Sequence, residues 1–443
     1  MSGFSVEGSI QLKGSIRTAG NKNEALPLIA AALLCDNPVS FENLPNIGDV
    51  QTMLEIARHL GVTVSDVKNG SCTLDAGTIT RRKLPVELSS KIRGSILFAS
   101  ALLVRTGRAE IPQPGGDSIG RRRIDTHCLV FKALGAKLRI HRSASIREPS
   151  QTTFIIEAKN GLTGANIYLD EASVTATENA VIAAAGAEGK TEIQNAASEP
   201  HVQGLCRFLE KIGVRIEGVG SNVLTVYGIK KFKSAHHTIG CDYIEAGSFI
   251  GLAAATRSEI TITHVDTSIM RMILFQFENI GVHVEVDSKN RTLHVPGRQT
   301  LRIRKDLGNA IPKIEDNPWP GFPADLMSII LVTATQSRGT CLIHEKMFES
   351  RLFFVDKLIS MGAQIILCDP HRAVVVGPTP LFGATINSPD IRAGMALLIA
   401  ALAAKGKSTI QNISQIDRGY FQIDDRLKVL GAHISRNAER RRK

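Results

Sequence analysis

The sequence predicts an α/β protein of two domains, each built from three similar helix–strand units. Three observations carry that prediction. A signature of an apolar residue, glycine, then Ala or Val recurs six times, at Leu60-Gly61-Val62, Leu134-Gly135-Ala136, Ile212-Gly213-Val214, Ile280-Gly281-Val282, Met361-Gly362-Ala363 and Leu430-Gly431-Ala432. Successive copies stand 74, 78, 68, 81 and 69 residues apart, a period too long for a thin solenoid and suited to a small α+β unit. The same series of elements precedes every copy, so the chain aligns with itself.

Each unit opens on an apolar helix: ALPLIAAALL, SILFASALLVRTG, NAVIAAAGAEG, SFIGLAAATRS, LMSIILVTATQSR and MALLIAALAAKG in order. Gly or a basic residue at their ends fits a left-handed C-terminal cap. A short strand with a polar end follows, as in KTEIQN and EITITH. A second, amphipathic helix such as DVQTMLEIARHL or YFQIDDRLKVL then runs into the signature, apolar at i, i+3/i+4 and i+7. Two strands close the unit, as in VTVSDVKNGSCTLDAG. One unit cannot bury its own apolar helix, so several must pack together. Six units give domains at 20–229 and at 1–19 plus 241–435, with the polar stretch 230–240 as linker and 436–443 as a basic tail. The opening strand, residues 4–18, is expected to complete the last unit of the second domain, so the chain crosses twice.

Composition narrows the function. Apolar runs are short, and the longest, Ala393–Ala404, suits a buried helix and not a membrane span. The N-terminal MSGFSVEGSIQLKG has no apolar signal core, which points to a cytoplasmic protein. Seven cysteines are scattered without C-x-x-C pairs or zinc spacing, so disulfides and a metal site are not expected. Net charge is +11, and residues 436–443 supply five of the basic groups. With four tyrosines and one tryptophan, a stacking platform for single-stranded nucleic acid is poorly supplied. The excess positive charge suits acidic small molecules instead.

Aligned on the repeat, charge collects at two positions. At the start of the apolar helices stand Lys22-Asn23, Arg93, Ser173-Val174-Thr175, Asp325, and Asp390 with Arg392. Asn, Ser and Asp there are ordinary helix caps, but Lys22, Arg93 and Arg392 oppose the helix dipole and so point to an anion. After the first strand come the loop Gly115-Gly116-Asp117 with Arg121, Arg122 and Arg123, then Glu199, Arg351 and Arg418. Consecutive arginines are either a solvated patch or a phosphate clamp, whose planar forks match phosphate. No Walker loop, dinucleotide fingerprint or Ser/His/Asp signature is present. The residues thus support a two-domain enzyme for phosphorylated substrates, with carboxylates for proton transfer.

The motifs AGNKNEALPLIAAALL, PQPGGDSIGRRRIDTH, EASVTATENA, QNAASEPHV, DYIEAGSF, FPADL, MFESRLFFVDKLISMGA, DIRAG and IDRGYFQIDDRLKVLGA resemble, in the same order, those of the enolpyruvyl transferases. The resemblance runs from about residue 6 to residue 435. The NKN opening sets the chain apart from the shikimate-pathway branch, which has a Lys-Ser pattern there. The resemblance implies two inside-out α/β domains around a cleft. It also implies transfer of the enolpyruvyl group of phosphoenolpyruvate to the 3′-hydroxyl of UDP-N-acetylglucosamine, with release of phosphate. No metal or cofactor is implied, no nucleic acid or membrane partner, and the chain is expected to be a monomer.

By the same resemblance, Asp325 matches the base on the acceptor hydroxyl and Asp117 the proton donor. Lys22, Arg122 and Arg418, with Asn23 nearby, match the binders of phosphoenolpyruvate. Arg93, the stretch Arg122, Arg123, Ile124, Asp125, Thr126, the stretch from Glu171 to Ser173 and Val174, Asp325 and Met347 match positions lining the UDP-sugar. Glu199, Arg351, Asp390 and Arg392 match further cleft residues. Asp117 stands where most members have cysteine. A carboxylic acid can donate a proton if the site keeps it protonated, but no thiolate is present for fosfomycin to alkylate, so insensitivity is expected. Glu171, Tyr243 and Thr175 also depart from common residues, and a carboxylate at 171 would repel a pyrophosphate. Two other readings remain: an enolpyruvyl transferase for another nucleotide or phosphorylated acceptor, and a nucleic-acid enzyme like the RNA 3′-phosphate cyclases, which share the repeat type. A catalytically dead paralogue is disfavoured by the presence of Lys22, Asp325 and Arg418.

Overall fold

The computed structural model describes residues 2–117, 119–145 and 148–437, the side chains of 143–151 excepted. Most of the tail 436–443 therefore lies outside the described residues. Arg436 is described: it lies in the strand His433–Asn437 and forms ion pairs to Asp417 and Asp424, 2.7 Å each. The described chain divides into two bodies, one of residues 20–117 and 122–240, the other of 2–19, 119–121 and 241–437.

In the first body the helices Lys22–Ala32, Phe98–Thr106 and Val174–Ala185 pack on one another, and each sends its chain into a sheet. In the second body the helices Tyr243–Ala255, Met327–Ala334 and Ile391–Ala403 do the same. These helices are largely buried on all sides; all 13 residues of Tyr243–Ala255 are buried. That explains why they are apolar all round and not striped. The amphipathic helices are different. Pro200–Lys211 and Gly48–Leu60 bury only one face.

All six signature glycines are left-handed, with φ between 86° and 109°. Each follows an amphipathic helix, where only glycine takes that conformation without strain. The short strands end on a second left-handed residue in four units, at Asn43, Asn195, His264 and Asn412. The cap expected on the apolar helices is realised at the helix end by Gly107. Elsewhere the left-handed residue lies further on, as at Gly189 and Gly406, or is Arg257.

The strand pairing adds what periodicity misses. Among the described residues, five of the six sheets have four strands, because in every unit but the second a strand preceding an apolar helix pairs in parallel with a strand that follows one. Asn166–Tyr168 with Lys190–Gln194 is such a pair around Val174–Ala185. Two of these strands are exchanged. Lys13–Arg17, which precedes Lys22–Ala32, pairs with Glu259–Thr263, register Lys13 to Glu259. His236–Thr238, which precedes Tyr243–Ala255, pairs with Val39–Glu42, register His236 to Ser40. The stretch 230–240 is thus not only a linker: its end is an edge strand of the first unit's sheet. The opening segment is two strands, not one. Gly3–Glu7 lies between Lys407–Gln411 and His433–Asn437 in the last unit, as expected, while Lys13–Arg17 joins the fourth.

Candidate active site

In the first body, the expected residues gather at the starts of the apolar helices. Asn21 caps the first helix, its Oδ1 accepting from Glu24 N at 3.1 Å. Lys22 opens that helix, is nearly buried, and sets Nζ 3.3 Å from Asp49 Oδ2. Asn23 is the next residue of the same turn. Arg93 opens the turn Arg93–Leu97 that leads into the second helix. This turn touches both other apolar helices.

Arg93 is buried at 8 % exposure, and its guanidinium donates to the carbonyl of Arg123. Burial and the neighbouring Arg122 cation lower its pKa to about 10, against a smaller opposing effect of Glu171. Glu171 thus sits where it offsets Arg93. The Asp117 loop lies on this group. A Cβ on Gly115 would fall 1.7 Å from Ser90 O, and one on Gly116 (φ +107°) would meet Arg93 and Arg122 Nη1 at 3.0–3.2 Å. Only a glycine pair lets the backbone pass so close to Ser90, the Arg93 main chain and the Arg122 guanidinium. Asp117 follows directly.

The three arginines are not equivalent. Arg123 is drawn to Asp170 at 2.8 Å and Asp125 at 3.3 Å. Asp170 also accepts from Thr126 Oγ1 at 2.6 Å. Arg123, Asp125 and Thr126 thus brace the loop to Asp170, while Arg122 adjoins Arg93. Arg121, which belongs to the second body, donates its backbone N–H to Glu349 of that body at 3.1 Å. Ile124 is buried just before the helix Asp125–Ala133.

Ser173 caps the third helix and Val174 opens it. Below them runs a polar network that sequence reading missed. Thr175 Oγ1 lies 3.2 Å from His127 Nε2, and His127 Nδ1 lies 2.8 Å from Asn179 Nδ2, so the imidazole accepts there. His127 is fully buried. Burial first, then the charges of Arg93 and Arg122, push its pKa down to about 3, so it is a neutral spacer. Glu178 is buried with its pKa raised well above normal by burial and by Glu199. Glu199 is the residue before the helix Pro200–Lys211.

In the second body, Asp325 stands in the turn Ala324–Leu326 that begins the fifth unit's helix. Arg351 Nη2 donates to its Oδ1 at 3.1 Å. Arg392 Nε and Nη2 donate to its Oδ2 at 3.1 and 2.9 Å. The arginine side chains are 4 % exposed and the carboxylate 27 %, so Asp325 is held from behind and open in front. Asp390 caps the sixth helix, accepting from Arg392 N and Ala393 N at 2.8 and 2.9 Å. Behind the arginines stand two more groups without a sequence signal. Tyr420 OH accepts from Arg392 Nη1 at 3.2 Å and pairs with Ser248 Oγ at 2.9 Å. Glu345, wholly buried, lies 3.7 Å from Arg351 Nε, and burial pushes its pKa up to about 9. Burial is the largest influence on Arg351 and Arg392 and disfavours their charge. Asp325, together with Glu345 and Asp390 at Arg351 and with Tyr420 and Asp242 at Arg392, more than offsets it, so both stay charged.

Arg418 is half-buried and donates to Gln415 at 2.8 Å. Met347 is 38 % exposed on a segment pinned by Asp316, which accepts from its backbone N–H at 3.3 Å. Tyr243 is buried, its ring 6.1 Å from that of Trp319. It fills an aromatic contact and does not stand in for a surface cation.

Residues 6–427 match the family described as EPSP synthase (3-phosphoshikimate 1-carboxyvinyltransferase). A protein of Treponema denticola named UDP-N-acetylglucosamine 1-carboxyvinyltransferase is 52 % identical, over 97 % of this chain and 98 % of its own length. One of the same name from Bradyrhizobium diazoefficiens is 50 % identical over 99 % of both chains. Among solved structures, the enolpyruvyl transferase NikO from Streptomyces tendae superposes with a TM-score of 0.85 at 24 % identity over 99 % of both chains. EPSP synthase from Acinetobacter baumannii does so with a TM-score of 0.73 at 17 % identity, over 99 % of this chain and all of its own. These two share the fold.

Proposed function

Since the chain belongs to the EPSP synthase family of carboxyvinyltransferases, we infer that it transfers the enolpyruvyl group of phosphoenolpyruvate to the 3′-hydroxyl of UDP-N-acetylglucosamine, releasing phosphate. This is the first committed step of peptidoglycan synthesis. The observation that carries the reading is similarity to relatives of that name at about half of all positions along nearly the entire chain. The chain retains both carboxylates and the cations that the chemistry needs.

The reaction adds a proton to the methylene carbon of phosphoenolpyruvate while the sugar hydroxyl attacks its neighbour and loses a proton. The tetrahedral ketal then loses phosphate and a methyl proton, which restores the double bond. In this reading Asp325 takes the hydroxyl proton. Two buried guanidiniums fix its oxygens, so no side-chain search is needed when substrate arrives. Asp117 delivers the carbon proton from the glycine turn. Lys22, Asn23, Arg122 and Arg418 bind the phosphate and carboxylate of phosphoenolpyruvate, for which guanidinium forks are suited. Arg93 and the segments 122–126 and 173–174 serve the sugar nucleotide, with Met347. Arg351 and Arg392 hold Asp325, Asp390 caps the helix that carries Arg392, and Glu199 stands at a helix start near the buried Glu178. No helix among the described residues is long and apolar enough to cross a membrane, and the reading takes the protein as a cytoplasmic monomer. Its test is phosphate release from phosphoenolpyruvate and UDP-N-acetylglucosamine by wild type and by Asp325→Asn. Release by the wild type, abolished in the variant, is the expected pair of results.

A further inference from the structure

The first turn of the helix Lys22–Ala32 holds a buried carboxylate that the chemistry above does not use. Glu24 lies two residues after Lys22 and is 4 % exposed. Its Oε1 is 3.1 Å from His237 Nε2, and its Oε2 accepts from Gly240 N at 3.0 Å. Asn21 N in turn donates to Gly240 O at 2.8 Å. His237 is itself buried, edge-on to Phe208 with centroids 5.7 Å apart, and its Nδ1 has no hydrogen-bond partner. Glu24 must therefore be the acceptor for a proton on Nε2. The opposite side of Glu24 is closed by Gly204, where a Cβ would stand 2.4 Å from the carboxylate. Such a group is costly in an otherwise apolar helix. An alanine would complete the surrounding Ala-rich pattern without that cost.

The network has a specific geometric consequence. His236–Thr238 is the exchanged edge strand, and Gly240 is the last residue of the first body before the chain leaves it. One carboxylate therefore fastens that departing segment to the turn that displays Lys22 and Asn23. Asn21 adds the second tie from the helix cap. We propose that Glu24 and His237 are positioning residues for phosphoenolpyruvate, locking the exchanged strand and Gly240 onto the first helical turn so that Lys22 and Asn23 keep a fixed direction. The inference rests on the assignment of Lys22 and Asn23 to phosphoenolpyruvate.

The test is steady-state kinetics on the full chain for wild type, Lys22→Ala, Glu24→Ala, Glu24→Gln, His237→Ala and the Glu24→Ala/His237→Ala double variant, with a thermal melt of each. Glu24→Ala and His237→Ala are expected to raise the KM for phosphoenolpyruvate about tenfold or more, with the KM for UDP-N-acetylglucosamine within about twofold of wild type. The double variant should be no worse than the poorer single variant, since both cut one linkage. Glu24→Gln keeps an oxygen for one of the two partners, Gly240 N–H or His237 Nε2–H, but loses the carboxylate's charge. It should therefore raise the KM for phosphoenolpyruvate only a fewfold, between wild type and Glu24→Ala. A lower melting temperature with both KM values unchanged in Glu24→Ala, while Lys22→Ala raises the KM for phosphoenolpyruvate, overturns the proposal and leaves the site reading intact. An unchanged KM in Lys22→Ala overturns the site reading and this inference with it. If Glu24→Ala does not fold, the isosteric Glu24→Gln decides: a KM raised a fewfold and specific to phosphoenolpyruvate supports the linkage, and wild-type kinetics refute it.

Discussion

The arginines of the two bodies live under opposite electrostatic regimes. Arg392 and Arg351 are buried against Asp325, Arg392 placing two donors on Oδ2 and Arg351 one on Oδ1. The pKa of Arg93 is lowered to about 10, by burial first and then by the neighbouring Arg122 cation. The first cluster has its counter-charge built in, so its arginines serve to aim a carboxylate. The second is under like-charge repulsion that a bound anion relieves. Buried charge can thus be a support for chemistry in one place and a receptor in another, and the sign of the neighbour tells which.

The sharpest way to break this contrast is to remove the aimed carboxylate. Asp325→Asn keeps the shape and should lower turnover about a thousandfold, read as phosphate release, with both KM values little changed. A variant within tenfold of wild type would make Asp325 a structural group. Next in size is the inhibitor response. Wild type should show no time-dependent inactivation by fosfomycin, because position 117 offers no thiolate. The buried Cys35, Cys206 and Cys341 have pKa values pushed up to about 12, far from reactive. Asp117→Cys should gain covalent inactivation, detectable by intact mass.

Two further variants set the arginines side by side. Arg93→Ala relieves repulsion, so its melting temperature should stay near that of wild type while the KM for UDP-N-acetylglucosamine rises about tenfold or more. Arg392→Met removes a buried counter-charge and should destabilise the fold by about 2–3 kcal/mol, measured by denaturant titration, as well as lowering turnover. If both variants melt alike, the two regimes are not distinct.

The smallest effect is a pH slope. Burial raises the Glu345 carboxyl from an ordinary value to about 9 in the folded chain. The folded state therefore binds a proton that the unfolded chain has released above pH 5. Its contribution to stability is full below the ordinary carboxylate pKa and is lost as pH rises toward 9. Melting temperatures taken between pH 5 and 9 should fall more steeply in wild type than in Glu345→Gln. Parallel slopes would contradict the assignment.

Much of this was legible in the sequence because the repeat is enforced locally. A left-handed residue after each amphipathic helix admits glycine readily and little else, so Gly61 through Gly431 register all six units. Charges at helix starts were equally visible, because Lys22, Arg93 and Arg392 oppose the dipole there. The exchanged strands were not visible. Lys13–Arg17 and His236–Thr238 are only five and three residues long and pair with strands about two hundred residues or more away, beyond any local signal. Asp170, His127, Glu345 and Tyr420 were missed for another reason: each acts through a neighbour and has no spacing of its own. Asn179 and Glu178, polar residues inside the apolar run NAVIAAAGAEG and just before it, were the available hint of a buried network.

The central claim is most directly tested by mass spectrometry of the product formed from phosphoenolpyruvate in parallel incubations with UDP-N-acetylglucosamine, UMP and shikimate 3-phosphate. The account predicts a UDP-N-acetylglucosamine bearing one enolpyruvyl ether, formed one for one with phosphate, and little or no product with the other two acceptors. Product from UMP or shikimate 3-phosphate, with UDP-N-acetylglucosamine left unchanged, would contradict it.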